Sequence, residues 1–311
     1  MGDPAGIGPE VVWKALADPE IADLAEWMAV GDDVVVRSAE RITSLRLDIA
    51  IADQAVLSSD FPIGQVSADC GRAGLKYVKA ATEMCLRGEV DAMVTAPLNK
   101  EAVALNGFPF SGHTEYIAEL CGNADSRMLL VSDRLRVVHV STHIALREAC
   151  QLNTGRILRT IELGHEAMHW IGYDQPRIAV CGLNPHAGEH GLFGDEDERL
   201  IAPAIASARE QGIQADGPHA GDTVFLRAVK GQYDLVVAMY HDQGHIPMKL
   251  LDFDSGVNVS IGLPIVRTSV DHGTAFDIAG RNIAEATSMK SAMRLAVRMA
   301  LGKRRWPGRS E

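Results

Sequence analysis

Tyr240–Gly280 reads YHDQGHIPMKLLDFDSGVNVSIGLPIVRTSVDHGTAFDIAG. It contains the apolar run Val257–Ile261, then a second from Ile261 to Val266, each bordered by glycine or charge. Short β-branched runs between turn residues are the mark of strands buried on both faces. The stretch also sets a candidate metal ligand (His241), a lysine (Lys249), an asparagine (Asn258) and an arginine (Arg267) at element ends. It closes on His272-Gly273-Thr274-Ala275, a small-residue loop of the kind that lets a backbone approach a nucleotide. A metal, an anionic substrate and a cofactor are implied together.

Outward from this stretch, similar runs recur at Trp27–Val30, Asp48–Ile51, Ala92–Thr95, Met128–Val131, Val137–Val140, Arg177–Cys181 and Leu235–Ala238. Amphipathic, helix-like segments separate them: Pro9–Ala17, Gly71–Arg87, Glu115–Cys121, Thr154–Trp170, Glu196–Gln211 and Met289–Ala300. Strand–helix alternation predicts an α/β protein with helices on both faces of its sheets. The length of 311 residues suits two medium domains or one large one. Aromatic content of 5% and a net charge of −11 exclude a broad nucleic-acid surface, while leaving room for a local anion site. The five cysteines are scattered without a C-x-x-C pair, which reads as reduced thiols. No signal peptide or membrane-length apolar run is evident, so the expected setting is cytoplasmic, without a membrane partner. The tail Gly302–Glu311 is expected to fray. The opening Gly2–Glu10, GDPAGIGPE, reads as a turn that follows a strand, so roughly one strand's length is expected to be missing ahead of it.

Gly6 and Gly8 permit a tight turn there, and Pro9 suits the first helical position. Neither G-x-G-x-x-G nor a P-loop is present. Three histidines sit in polar turns just after apolar runs: His143, His186 (in Asn184-Pro185-His186-Ala187-Gly188-Glu189) and His241. Neutral imidazoles with open positions make a catalytic divalent site, although each alone also reads as a loop hydrogen-bonder. His165/His169 and His241/His245 are i,i+4 pairs. The first pair reads as a solvated helix face, and His245 as a supporting residue. Ser111-Gly112-His113-Thr114-Glu115 looks like a helix start able to receive a phosphate or carboxylate, or simply to cap. Arg267 offers a planar fork to such an anion and Lys249 a tunable proton donor.

GDPAGIGPE, GHTE, THIALR, NPHAGE, YHDQG and the Lys–Asn–Arg series together resemble the 4-hydroxythreonine-4-phosphate dehydrogenase family, in order and over essentially the whole chain. The two glycine regions, with HGTAFDIAG at His272–Gly280, are similar to those of the wider isocitrate/isopropylmalate dehydrogenase fold. The resemblance implies two α/β/α domains with a cleft between them. Residues 1–110 plus 256–311 would form a cofactor domain, and 111–255 a substrate, metal and dimerisation domain. It implies metal ligands His143, His186 and His241, and substrate contacts His113, Thr114, Asp222, Lys249, Asn258 and Arg267, with Lys249 and Asp222 catalytic. Gly6, Gly8, His272, Gly273, Thr274, Ala275 and Asp277 would hold NAD(P). NAD is favoured, because no basic cluster for a 2′-phosphate follows the loop. The other implied cofactor is one divalent ion per site: zinc, cobalt or magnesium. The implied partners are a small phosphorylated hydroxy acid and a second copy completing the site, so His186 serves the neighbouring subunit.

The implied reaction is metal-dependent oxidation of a 4-phosphorylated 3-hydroxy acid with loss of CO2. Ala96–Glu101, Ser141–Arg147 and Gly191–Glu196 look closer to a 4-phospho-D-threonate or D-erythronate branch than to the 4-phosphooxy-L-threonine branch. The competing readings are a catalytically inactive sugar-acid-phosphate binder and a dihydrodiol dehydrogenase of the same fold. Two departures from the pattern stand out. His190 follows Glu189 beside His186, and Asn282–Thr287 lacks the wider fold's A-N-P.

Overall fold

The computed structural model describes residues 1–58 and 60–306. The chain divides into two compact units, Met1–Ser126 with Leu263–Val297, and Arg127–Gly262 with Arg298–Glu311.

The first unit opens with α1 (Gly8–Leu16), which carries Pro9 in its first turn, and α2 (Pro19–Ala22). Then come β1 (Met28–Gly31), α3 (Asp33–Thr43) and β2 (Ala50–Asp53), with β1 and β2 parallel. α3 is an addition to the sequence reading. Its start, DVVVRS, has the β-branched look of a strand. Burial of Val35, Val36, Ala39 and Thr43 on one face makes it a helix, which ends at the left-handed Ser44. α4 (Ala68–Leu86) starts at Ser67, whose hydroxyl accepts from the Cys70 N–H. β3 (Ala92–Thr95), α5 (Lys100–Ala104) and α6 (His113–Leu120) follow, and both helices pack on α4.

The second unit contains β4 (Arg127–Val131), β5 (Arg136–His139), α7 (Leu146–Ala149), α8 (Thr154–Ile171) and β6 (Ile178–Cys181). A π-helical turn at Asp197–Ile201 leads into α9 (Ala202–Glu210). β7 (Ala215–His219), α10 (Gly221–Val229), β8 (Leu235–Ala238), α11 (His241–Leu251) and β9 (Val257–Ile261) complete it. Within this unit the strand order is β9-β4-β5-β8-β6-β7. β4 runs antiparallel to both neighbours, whereas β5, β8, β6 and β7 run parallel. Every residue of β6 and β8 is buried, which explains their unbroken apolar sequences. β7, ADGPH, has no apolar run and was not anticipated. Its glycine and proline are tolerated because it lies at the edge of the sheet, opposite an irregularity between Ala179 and Cys181.

The chain then returns to the first unit with β10 (Val266–Val270), parallel to β3. The sequence suggests that Arg267 follows a strand; instead it is the second residue of one. VRTSV hides its strand character behind polar residues, yet all five are buried. Thr268 settles its hydroxyl on the Ala292 carbonyl of α12 (Thr287–Arg305) at 2.8 Å. The expectation of a tail fraying from Gly302 also needs correction. α12 continues to Arg305, and a Cβ at Gly302 would meet the Trp170 carbonyl. Trp306 stacks on His169 at 4.4 Å, so His165 and His169 are half-buried, with their Nε2 atoms 3.2 Å apart, rather than on a solvated face. Residues 307–311 of the expected tail lie outside the described residues. Among the described residues, no helix is long and apolar enough to cross a membrane.

Candidate active site

Four candidate residues follow the C-terminal ends of neighbouring parallel strands. His143 comes after β5, His241 after β8, His186 after β6 and Asp222 after β7, in the order of the sheet. Ligands of open α/β sheets collect at this edge. The His143 and His241 rings lie 5.8 Å apart. His241 Nδ1 donates to the Asp242 carboxylate at 2.7 Å, and His186 Nδ1 donates to Glu189 at 2.9 Å. Both imidazoles are thereby left with Nε2 as the lone-pair nitrogen, the orientation that metal-ligating histidines usually take. The donors suit a divalent ion, but one chain does not gather all of them. Among the described residues, no three His, Cys, Asp or Glu side chains form a metal-holding group. His143 and His241 come together, while His186 stands exposed in its own loop.

That loop is strained. Six consecutive residues, His186 to Gly191, have positive φ, and only Gly188 and Gly191 are glycines. A left-handed φ costs non-glycine residues about 1–3 kcal/mol each, and it persists only where the surroundings impose it. The restraint is Asp197. Its fully buried carboxylate accepts from the Leu183 N–H (2.8 Å), the Asn184 N–H (3.2 Å) and Asn184 Nδ2 (2.9 Å). Asp197 gives no local signal of this role, because Gly194-Asp195-Glu196-Asp197 looks like a solvated acidic run. His190 does not join the His186 hydrogen bond; it is exposed and lies 3.6 Å from Glu198.

Gln243 performs a similar service for His241. Its carbonyl oxygen accepts from Met239 N–H and its amide donates to Gly182 O, both at 2.7 Å, tying the ends of β8 and β6 together. Further along α11, Lys249 Nζ lies 5.1 Å over the Phe253 ring. Asn258, second in β9, keeps a buried Oδ1 with no hydrogen-bond partner.

In the first unit, Arg267 is 2% exposed and donates through Nε and a terminal nitrogen to Thr95 Oγ1, at 3.2 and 2.7 Å. Burial pushes this guanidinium down to about 10, with the Glu115 carboxylate opposing the shift. His113 opens α6, and its Nε2 is enclosed without a partner. Burial pushes this imidazole down to about 3, and the nearby cation of Arg267 adds to the effect. A buried cation beside a neutral histidine with an orphaned nitrogen is a receptor short of one polar occupant. Thr114 is the second residue of α6.

The two glycine regions meet within this unit. Ile7 N–H donates to Thr274 O at 2.9 Å, and a Cβ at Gly6 would lie 2.9 Å from that oxygen. A Cβ at Gly8 would strike the Met1 carbonyl at 2.6 Å. Gly273, by contrast, has nothing within 4 Å of a Cβ, so its backbone is open to approach. Ala275 is left-handed, His272 Nε2 is buried without a partner, and Asp277 is exposed. A clamp without a local sequence signal holds this loop. Glu10 accepts from the Gly280 and Asn282 N–H groups, and Lys14, one turn on, donates to the Asn282 and Ala284 carbonyls. Asp3, fully buried, ties the opening turn by accepting from Ala5 N–H and Asn99 N–H.

The family model described as "Pyridoxal phosphate biosynthetic protein PdxA" matches residues 16–296. D-threonate 4-phosphate dehydrogenase of Salmonella typhimurium is 48% identical over 318 residues, covering 96% of this chain and 97% of that protein. A solved 4-hydroxythreonine-4-phosphate dehydrogenase from Burkholderia phymatum is 44% identical with a TM-score of 0.84, covering 96% of each chain. A terephthalate 1,2-cis-dihydrodiol dehydrogenase from Burkholderia xenovorans is 33% identical with a TM-score of 0.73, again covering 96% of each.

Proposed function

This chain belongs to the PdxA family, and from that premise we propose that it oxidises a 4-phosphorylated 3-hydroxy acid with NAD and releases CO2. The preferred substrate is 4-phospho-D-threonate, in keeping with 48% identity to the D-threonate 4-phosphate dehydrogenase. The observation that carries the reading is the row of His143, His241, His186 and Asp222 along one edge of parallel strands.

In this reading Arg267 and His113, with Thr114, receive the phosphate. Arg267 supplies the charge, and His113 stays neutral to offer a hydrogen bond rather than a second cation. The Gly6–Gly8 turn and the loop His272–Asp277 hold the nicotinamide nucleotide, which supplies the hydride acceptor. Of the two nucleotides, NAD remains preferred over NADP. His143 and His241, with His186 of a second copy, hold a divalent ion, whose chemistry when bound is Lewis acidity toward the substrate's hydroxyl and later keto oxygen. Asp222 accepts the hydroxyl proton as hydride leaves the carbon, and Lys249 Nζ returns a proton to the carbon that loses CO2. The Asn258 Oδ1 accepts from a substrate hydroxyl. The first unit is thus the cofactor and phosphate unit, the second the metal and dimerisation unit.

The dimer has its own support. α11 exposes Ile246 and Leu250 one turn apart, Phe253 is exposed just beyond its end, and the His186 loop is followed by exposed Leu192 and Phe193. These belong to the two segments that bear His241 and His186.

The test is NADH formation from purified protein, NAD and a divalent metal with 4-phospho-D-threonate, 4-phospho-D-erythronate, 4-phosphooxy-L-threonine and an aromatic dihydrodiol carboxylate. NADH with a phosphorylated acid and none with the diol is expected. Thermal stabilisation by those acids without NADH would make the protein a binder. Turnover with the diol alone would move it to the dihydrodiol reading, and full activity after exhaustive chelation would remove the metal.

A further inference from the structure

We propose that His245, stacked on the His241 ring, and His139, tilted against His245, form a seat that fixes the position of the His241 ring, and that Gly244 is the notch which lets this seat assemble. The consequence for metal binding rests on the reading of His241 as a ligand; the seat itself does not.

The His245 ring lies on the His241 ring at 3.6 Å between centroids and 12° between planes. Its Nδ1 is 3.1 Å from the His241 carbonyl. A carbonyl only accepts, so that nitrogen carries the proton. The plate beneath His241 is thus held by a hydrogen bond from its own edge as well as by the stack. On the far side, the His139 ring lies 4.7 Å from His245, tilted by 45° against it. His139 is the last residue of β5 and is fully buried. Its Nδ1 donates to the Met128 carbonyl at 3.3 Å, which fixes the tautomer and leaves Nε2 bare. That Nε2 is enclosed and has no hydrogen-bond partner. It faces Gly244, where a Cβ would stand 2.3 Å from Nε2 and 2.7 Å from Val137 Cγ1.

A glycine in a helix interior loses about 1 kcal/mol against alanine, and a histidine with a buried bare nitrogen adds a desolvation cost. A leucine or valine at 139 would avoid the second cost. Together they do one thing that an apolar pair does not. The His139 ring fits under α11 against Gly244, between His241 and His245 in sequence, and β5 itself sets the position of the His245 ring. β5 also leads to His143, so one strand governs both histidines of the pair. Control on His241 therefore comes not only from exposed Asp242 but also from the half-buried His245 plate and the buried His139 behind it. His245 and His139 are positioning residues; neither is assigned a contact with substrate.

Four proteins test the seat: wild type, Gly244→Ala, His139→Ala and the Gly244→Ala/His139→Ala double variant. Two measurements are made on each, the NMR shifts of the His241 ring protons without metal, and Co(II) affinity with its visible spectrum. The single Gly244→Ala change is expected to move the His241 ring resonances and to weaken Co(II) by about 10- to 100-fold, the range for loss of a ligand's support. His139→Ala removes the base of the same seat, so it is expected to move the His241 resonances too, and the double variant is expected to lose little more than the worse single. Unrelated structural defects predict losses that add. Should Gly244→Ala not fold, His245→Phe against His245→Ala carries the test. The aromatic plate is expected to hold the His241 shifts near wild type and alanine is not. Unmoved His241 resonances in Gly244→Ala or in His139→Ala, or losses that add in the double variant, would overturn the proposal. Resonances that move with no change in Co(II) affinity would uphold the seat and instead overturn His241 as a ligand.

Discussion

Arg267 illustrates how a single side chain in this protein acquires its role. An arginine two residues into a buried strand is costly to desolvate, and Thr95 offers it one oxygen for two of its donors. The planar guanidinium suits an anion. Arg267→Met is expected to raise KM for the phosphorylated acid about 10- to 100-fold, since a charge-assisted hydrogen bond contributes about 1.5–3 kcal/mol. Arg267→Lys should not restore it, because a point charge cannot reproduce the fork; steady-state kinetics on both variants checks this. His113 makes a prediction of a different kind. Its folded pKa is lowered to about 3, against an ordinary value of 6.5. Between these values the unfolded chain binds the proton and the folded one does not, so the contribution is complete above about pH 6.5 and is lost as pH falls toward 3. The slope is at most about 1.4 kcal/mol per pH unit. Urea melts at several pH values should show a shallower acid limb for His113→Gln than for wild type.

At the scale of elements, the loop that carries His186 depends on a turn that follows it in sequence. Asp197→Ala leaves the Leu183 and Asn184 donors without their acceptor, and a cost of about 3 kcal/mol is expected from the orphaned groups. The local effect should exceed the global one. With its restraint gone, the left-handed run 186–191 relaxes, and hydrogen exchange there should rise while β6 and β8 stay protected. Several elements were legible in advance, notably β3, β8 and β9 with the bounds later observed. Their apolar runs are unbroken because they are buried on both sides. β7 and β10 were not legible, since a proline-bearing edge strand and a strand of buried hydroxyls both lack the run that marks a strand. The candidate ligands were legible for the same reason that the strands were: each follows a run that ends in a polar turn. Their supports, Asp197, Glu10 and Gln243, were not. A carboxylate or amide satisfied by distant backbone groups has the same local signature as one in water.

For the whole molecule, the separation of His186 from the His143/His241 pair bears most directly on assembly. If the proposed dimer forms, charged substitution at these exposed apolar residues, Leu250→Arg with Phe253→Asp, is expected to leave a monomer in analytical ultracentrifugation. Activity should fall with it, while the circular dichroism of each chain is unchanged. A variant that remains dimeric and active would remove these residues from the interface. Mixing His186→Ala with His241→Ala protein offers a check on sharing. Re-association should restore part of the activity if each site draws its histidines from two chains.

The sequence by itself determined the α/β class, the alternation of elements and the placement of polar residues at strand ends. These follow from periodicity and turn chemistry within a few residues of each position. Only the tertiary structure decided that β5, β8, β6 and β7 lie side by side in that order. The same folding laid Glu10 under the loop after β10 and set His139 against His245. The physical reason is that strand order and buried polar pairing are settled by groups tens to hundreds of residues apart, whose mutual satisfaction leaves no mark on the local pattern of either. Tyr240–Gly280 announces its chemistry, but the residues that aim it come from elsewhere in the chain.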